Sequence, residues 1–149
     1  MKVSEILSRK ADQVYTIAPH SPVAEALKLL NDRKIGALPV LDEQRKIQGI
    51  VTERDILRMF AGAKNPSPSV RVQDIMTPAL RLIVGDMHDD VEYVMNVMTN
   101  NRVRHLPIID DKGGLVGLIS IGDVIKVLLQ GAEYEKKMLV DYIQGKYPV

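Results

Sequence analysis

Short apolar runs alternate with amphipathic stretches along this chain, and the same order of elements is predicted twice. In the first half, the pattern predicts a helical turn, a short strand, a helix, two strands joined by a charged turn, and a second helix. Ser21 is a favourable N-cap and Pro22 a favourable first residue for the longer helix. The predicted strands of the two halves lie at 14–17, 37–41, 47–51, 104–109 and 115–119.

The two halves also match residue by residue. Residues 14–62 overlay 82–130 without a gap at an offset of 68, and residues 3–7 match 72–76 at an offset of 69. Two copies are too few for a solenoid and favour a pseudo-two-fold pair. Identical pairs include Leu38/Leu106, Pro39/Pro107, Asp42/Asp110, Gly49/Gly117 and Asp55/Asp123.

The repeat predicts the domain organisation. We expect a first domain at 1–62, a linker at 63–70, a second domain at 71–131, and a C-terminal helix and tail at 132–149. The linker contains two prolines and small polar residues, which exclude a helix. The helix of the second domain is predicted to end at Leu129, before a separate amphipathic helix at 132–144. The apolar stripe of that last helix covers either its own core or a second subunit, and the pattern does not decide between them.

Each half ends its last strand with the same motif, Gly, two apolar residues, then Thr or Ser, and Asp three residues later. The copies are Gly49-Ile50-Val51-Thr52-Glu53-Arg54-Asp55 and Gly117-Leu118-Ile119-Ser120-Ile121-Gly122-Asp123. Backbone N–H groups at a helix start have no helical partner and suit a phosphate, while the Asp can accept hydrogen bonds from sugar hydroxyls. The motif also resembles a helix capping box. Repetition after the same kind of strand favours a ligand site, and both interpretations need the same helix start.

Composition excludes several classes of function. The 149 residues carry a net charge of +1, whereas general nucleic-acid binders usually show a basic excess. There is no Cys, and no apolar run approaches the roughly 18 residues of a membrane span. We therefore expect a soluble cytoplasmic protein with no nucleic-acid or membrane partner.

Candidate catalytic and metal-binding residues are weak. The three His form no recognisable catalytic set, no nucleophile motif or Walker loop is present, and we expect no enzyme. The acid-rich segment at 86–90 contains one His, but acids favour a helix start, and further ligands at a suitable spacing are lacking. No metal site is predicted.

The duplicated strand–motif–helix unit resembles the CBS domain, named after cystathionine β-synthase, and the tandem pair resembles a Bateman module. The segments Ile35-Gly36-Ala37-Leu38-Pro39-Val40 and Val103-Arg104-His105-Leu106-Pro107-Ile108 support this, and the resemblance covers residues 3–130. It implies an α/β (α+β) fold of two domains, each a small three-stranded sheet with helices on one face, packed as a pseudo-two-fold pair. It also implies two clefts that bind an adenosine ligand: AMP above all, or ADP, ATP, NAD or S-adenosylmethionine. No further cofactor is required.

The resemblance assigns residues to each cleft. The motif Asp takes the ribose hydroxyls and the Thr or Ser contacts the phosphate. Arg104 is expected in the cleft of Asp123, which is therefore predicted to bind one phosphate well, and AMP at least as well as ATP. That cleft is predicted to comprise Val14, Tyr15, Thr16, Ile35, Gly36, Ala37, Arg104, Ile119, Ser120 and Asp123. The weaker cleft of Asp55 is predicted to comprise Leu82, Val84, Val103, His105, Val51, Thr52 and Asp55.

These observations favour a regulatory module that senses an adenosine nucleotide and signals to a protein partner, whose identity the sequence does not reveal. The alternative is an interaction or dimerisation scaffold whose clefts stay empty. The resemblance also implies a homodimer formed through the domain helices. Candidate residues for that seam are Met95, Met98, Ile56, Met59 and Val127.

Overall fold

The computed structural model describes residues 1–10, 13–62, 67 and 69–145. Most of the predicted linker at 63–70 lies outside the described residues. Six helices, five strands and a 3₁₀ turn are present in these ranges, in the order α1 Val3–Arg9, α2 Val23–Arg33, β1 Ala37–Leu41, β2 Ile47–Thr52, α3 Glu53–Gly62, α4 Val72–Ile75, β3 Thr77–Pro78, the 3₁₀ turn Ala79–Arg81, α5 Val91–Asn101, β4 His105–Ile109, β5 Leu115–Ser120 and α6 Ile121–Ile143. The mixed α/β class and the repeated order are confirmed.

Each half is built around an antiparallel hairpin. In β1–β2, Ala37 lies opposite Thr52, and in β4–β5, His105 lies opposite Ser120. The first strand predicted in each half is shorter than expected, because only Ile17 and Gly85 make isolated parallel bridges to the neighbouring hairpin. The short strand β3 instead pairs with β2, so a segment of the second repeat extends the sheet of the first.

The two halves exchange their first helical turns. The core of the second half includes Val3 and Ile6 of α1, whereas the core of the first half includes Val72 of α4. Backbone hydrogen bonds fix both segments, from the Val3 amide to the Asp89 carbonyl and from the Val72 amide to the Ser21 carbonyl. Neither core is complete without a segment from the other repeat, so we expect the halves to fold as one unit.

The motif glycines lie where these exchanged segments cross the sheets. A Cβ on Gly49 would overlap the backbone carbonyl of Thr77, and a Cβ on Gly117 would overlap the side chain of Leu7. Close packing therefore requires glycine at position 49, where the obstacle is backbone, and favours glycine at position 117, where the obstacle is a flexible side chain.

Two helix boundaries differ from the prediction. Helix α2 begins at Val23, with Pro22 itself at the N-cap position. Helix α6 continues through Gly131, so the predicted break between a helix ending at Leu129 and a separate one at 132–144 is wrong. A helix interior tolerates one Gly at a cost of about 1 kcal/mol.

The outer part of α6 does not cover the core of its own chain. Every residue from Gly131 to Val140 is exposed, and Ile143 is 80% exposed. Within the described ranges, no helix combines the length and apolar character needed to cross a membrane.

Two residues proposed for a dimer seam are in the wrong place. Met98 is 1% and Ile56 3% exposed, and each lies in the core of its own half. Their helical spacing marks a buried face, which the sequence pattern alone does not distinguish from an interface. Met59, Met95 and Val127 are only partly buried.

Candidate functional site

The two motif helices begin with equivalent capping geometry. In the second half, the Asp123 amide donates to Ser120 Oγ (3.1 Å), and the Ser120 amide donates to Asp123 Oδ2 (2.9 Å). In the first half, the Asp55 amide donates to Thr52 Oγ1 (3.3 Å), and the Thr52 amide donates to Asp55 Oδ2 (2.8 Å). In both carboxylates only Oδ2 has a partner among the described residues. The cap is therefore formed, and one carboxylate oxygen remains for a ligand.

Each motif opens into a cavity between the halves. The Asp123 cavity has a volume of about 680 Å³. Of the residues predicted for it, seven contribute to its lining: Val14, Tyr15, Ile35, Gly36, Ala37, Ser120 and Asp123. The remaining lining residues are Lys10, Gln13, Asp32, Arg33, Lys34, His105 and Leu118. A volume of this size is typical of small-molecule sites.

The Asp55 cavity is smaller, with a volume of about 450 Å³. Its lining includes five residues predicted for it: Leu82, Val103, His105, Thr52 and Asp55. The other lining residues are Gly36, Ile50, Glu53, Arg54, Leu57, Arg58, Thr77, Arg81, Ile83, Arg102 and Arg104.

Arg104 was assigned to the wrong cavity. It lines the Asp55 cavity, not the Asp123 cavity. Residue 104 lies in the bend just before β4, and its neighbours Arg102, Val103 and His105 line the Asp55 cavity as well. The expected advantage of the Asp123 cavity for phosphate therefore loses its basis.

Four other predicted lining residues lie outside both cavities. Val51 and Ile119 are fully buried in the two cores, and their preceding neighbours Ile50 and Leu118 line the cavities instead. The alternation of a strand explains this error of one position. Thr16 and Val84 do not line either cavity.

His105 and Gly36 lie at the boundary between the cavities and line both. A Cβ on Gly36 would be 3.3 Å from His105 Cε1, so the glycine leaves space for the imidazole. Burial, and then the positive charge of Lys10, lower the pKa of His105, although Asp123 partly opposes this. The imidazole is therefore held neutral in the ligand-free protein at neutral pH.

Sequence reasoning missed the main partner of Asp123. Lys10, at the end of α1, donates from Nζ to Asp123 Oδ2 and to the Leu118 carbonyl, both at 2.8 Å. Burial raises the pKa of the Asp123 carboxyl, but hydrogen bonds from Lys10 and Ser120 outweigh that effect and lower it. Asp55 has no such lysine, since the position equivalent to Lys10, at the offset of 69 that relates α1 to α4, is Ala79.

The acid-rich segment at 86–90 forms a turn before α5. The Asp86 amide donates to Asp89 Oδ2 (2.9 Å), and the His88 amide donates to Asp86 Oδ1 (2.7 Å). Within the described part of the chain, no group of three His, Asp or Glu side chains is arranged to hold a metal ion.

The fold and the paired cavities define a tandem-repeat module with two cavities of ligand size between the repeats. The family model for the CBS domain matches residues 3–62 and 72–130. The chain therefore belongs to the CBS domain family, as its sequence motifs indicated.

Two known proteins show the overall likeness. The chain is 41% identical over 127 residues to "CBS domain-containing protein CBSX3, mitochondrial" of Arabidopsis thaliana, covering 84% of this chain and 61% of that relative. The match therefore spans less than two thirds of that relative. A solved structure of a putative signal-transduction protein with CBS domains from Burkholderia ambifaria is 38% identical, with a TM-score of 0.79, and covers 87% of this chain and 95% of that one.

Two further solved structures contain ligands. CBSX2 in complex with AMP is 26% identical, with a TM-score of 0.69, and covers 79% of this chain and 89% of that one. The CBS domain pair of protein MJ0100, in complex with 5′-methylthioadenosine and S-adenosyl-L-methionine, is 26% identical, with a TM-score of 0.74. That match covers 89% of this chain and 98% of that one. Related CBS pairs thus bind adenosine ligands with and without phosphate.

Proposed function

We propose that this protein is a non-catalytic regulatory module that binds adenosine ligands in the Asp123 and Asp55 cavities and passes the bound state to a protein partner. The observation that carries the proposal is the repeated helix start. In both copies Oδ2 of the Asp forms the cap while Oδ1 has no partner among the described residues, beside a cavity of ligand size. A carboxylate in that position suits the paired hydroxyls of a ribose.

The walls of both cavities suit an adenine base. In the Asp123 cavity, Val14, Ile35 and Ala37 supply apolar surface, and Gly36 supplies backbone without a side chain. In the Asp55 cavity, Leu82, Ile83 and Val103 are the corresponding apolar residues. A flat base between apolar walls, with the sugar directed to the Asp, places the phosphates near the helix start and its cationic neighbours.

A melting experiment tests this proposal. The protein is heated with AMP, ADP, ATP, NAD, S-adenosylmethionine or adenosine, and with guanosine monophosphate as the control for the base. A ligand at about 100 times its dissociation constant adds about 2.7 kcal/mol to the free energy of unfolding and raises the melting temperature. If no adenosine ligand shifts the transition at millimolar concentration, the proposal is wrong and the scaffold alternative with empty clefts is favoured.

We also propose that the chain forms a homodimer, although with a different seam from the one predicted from sequence. Leu57 and Phe60 of α3, and Ile125 and Leu129 of α6, are large apolar side chains that the structure leaves exposed. Burying such residues against a second copy would stabilise the pair. Light scattering at tens of micromolar protein should give a dimer mass, and a monomer mass would contradict this.

A further inference from the structure

We propose that the Asp55 cavity is selective for adenosine ligands with two or more phosphates, whereas the Asp123 cavity selects those with one or none. This inference rests on the proposed function and adds the phosphate number to each cavity. It differs from the expectation from sequence, which placed Arg104 in the cleft of Asp123 and expected that cleft to bind a single phosphate better than the cleft of Asp55 does.

Five arginines converge on the Asp55 cavity from four parts of the chain. Two belong to α3 and are four residues apart, which places them on one helix face. One ends the 3₁₀ turn, one is the C-cap residue of α5, and one directly precedes β4. They are Arg54, Arg58, Arg81, Arg102 and Arg104. No single stretch of sequence contains this cluster, which exists only in the folded chain.

These arginines have no acidic partner among the described residues, where the ion pairs are Lys2–Asp90 and Lys10–Asp123. Among the described residues, two carboxylates line the same cavity, those of Glu53 and Asp55, and Asp55 uses one oxygen for the cap. Five like charges around about 450 Å³ repel one another and concentrate a positive potential there. An anion with several charges would relieve that repulsion.

The geometry of guanidinium favours more than one phosphate. Each arginine can hold two phosphate oxygens in a fork, and one phosphate monoester presents only three terminal oxygens. One phosphate therefore occupies about two of the five arginines, and a second or third phosphate is needed to engage the others.

The repeat provides an internal comparison, because four of these arginines have an equivalent within the segments matched at an offset of 68. Arg81 directly precedes the matched segment and corresponds to Gln13 when the same offset is continued. None of the equivalents is an arginine: they are Gly122, Lys126, Gln13, Lys34 and Gly36. Three of them, Gln13, Lys34 and Gly36, line the Asp123 cavity at the corresponding places. The two cavities therefore differ in charge because their side chains differ, whereas the backbone around them has the same arrangement.

Most cations of the Asp123 cavity are already engaged. Lys10 binds Asp123 and the Leu118 carbonyl, and the Arg33 guanidinium lies 4.7 Å from the ring centre of Tyr15. Of the described lining residues, Lys34 is the cation with no such contact to another described residue, and Asp32 adds a negative charge to the lining. This environment suits a ligand with little negative charge.

The test uses the full chain with Arg54→Gln and Arg58→Gln combined. The matched control is Lys126→Gln, because residue 126 is equivalent to Arg58 in the other repeat but lines neither cavity. Calorimetric titrations with ATP, AMP, adenosine and tripolyphosphate are compared. The double variant should lose ATP affinity by about 30-fold or more, and adenosine affinity by less than about 3-fold. The control should bind all four as the wild type does. Melting without ligand verifies folding, and raised salt should stabilise the wild type more than the double variant.

Equal losses of ATP and adenosine affinity in the double variant would overturn the inference, because the arginines would then be structural. Unchanged ATP affinity would also overturn it. If adenosine and AMP bind but ATP does not, the phosphate assignment fails and the proposed function stands. If tripolyphosphate binds through the arginines and no adenosine ligand binds, the proposed function fails and the Asp55 cavity is a polyphosphate site without a nucleoside.

Discussion

The two halves of this protein share the same backbone arrangement, but the charged side chains around their equivalent carboxylates, Asp123 and Asp55, are different. Asp123 is paired with Lys10 at 2.8 Å, whereas Asp55 forms no ion pair with another described residue. Five arginines that have no acidic partner within the described ranges line its cavity. Duplication thus preserved the helix start and its cap, while side chains delivered from other elements changed the charge in front of it. We therefore propose that the motif specifies where a ligand binds and that the surrounding side chains specify which ligand it is.

The two halves also differ in which atoms pack against the motif glycine. At Gly49, an added methyl group would overlap the Thr77 backbone, whereas at Gly117 it would meet only the movable Leu7 side chain. We therefore expect Gly49→Ala to lower the free energy of unfolding by about 3 kcal/mol and Gly117→Ala by about 1 kcal/mol. Urea titration measures both. Gly131→Ala, where space is open, is the control and should be neutral or slightly stabilising. Equal costs at the two motif glycines would contradict this reason.

Replacing each motif Asp by Asn should weaken the binding of a different ligand. Asp55→Asn should weaken ATP binding, and Asp123→Asn should weaken adenosine binding, each by roughly 10- to 100-fold, because a charge-assisted hydrogen bond to ribose is lost. The amide oxygen can still accept the capping hydrogen bond, so the helix start is retained. Calorimetry with both ligands on both variants is the measurement. One variant that weakens both ligands equally while the other has no effect would show that a single cavity is used.

Lys10→Gln removes the cationic partner of Asp123 and should change the affinity of the Asp123 cavity for adenosine. Adenosine affinity should rise a few-fold, while folding stability at neutral pH falls by about 0.5–1 kcal/mol, since the pair is only partly buried. The depressed pKa of Asp123 contributes stability that is present above about pH 4 and lost as pH falls through the folded value. The difference between wild type and variant should therefore shrink in acid. If the stability difference between the wild type and Lys10→Gln instead grows as the pH falls, the lowered pKa assigned to Asp123 is contradicted.

His105, between the cavities, should have the smallest effect. Because burial lowers its pKa, the unfolded chain takes up a proton below about pH 6.5 before the folded protein does, and stability falls over that range. His105→Gln should therefore lose less stability between about pH 6.5 and 5 than the wild type, by less than about 1 kcal/mol. If the melting temperatures of the wild type and the variant fall by the same amount between about pH 6.5 and 5, the role assigned to His105 is contradicted.

Local patterns predicted a large part of this structure. The repeat, the hairpins and the starts of α3 and α6 follow from short-range signals, because strand alternation and capping involve residues within a few positions. Arg54 and Arg58 could also have been predicted, since Arg54 lies within the motif and Arg58 follows it four residues later on the same helix.

The features that distinguish the cavities depend on long-range packing. The contact of Lys10 with Asp123 joins residues 113 positions apart, and it exists because α1 packs in the core of the other half. Arg81 reaches the Asp55 cavity only because the segment around β3 crosses to the first sheet. Arg104 lies in the bend before β4, where the backbone is not a regular strand, so strand alternation did not predict which cavity its side chain lines.

The central claim is most directly tested by following backbone amide signals of the full chain while ATP or adenosine is added below one equivalent. With ATP, amides at 52–58 of the Asp55 cavity should shift first. With adenosine, amides at 120–123 of the Asp123 cavity should shift first. If the same amides shift in the same order for both ligands, the cavities do not discriminate by phosphate number, and the account of two electrostatically distinct sites is contradicted.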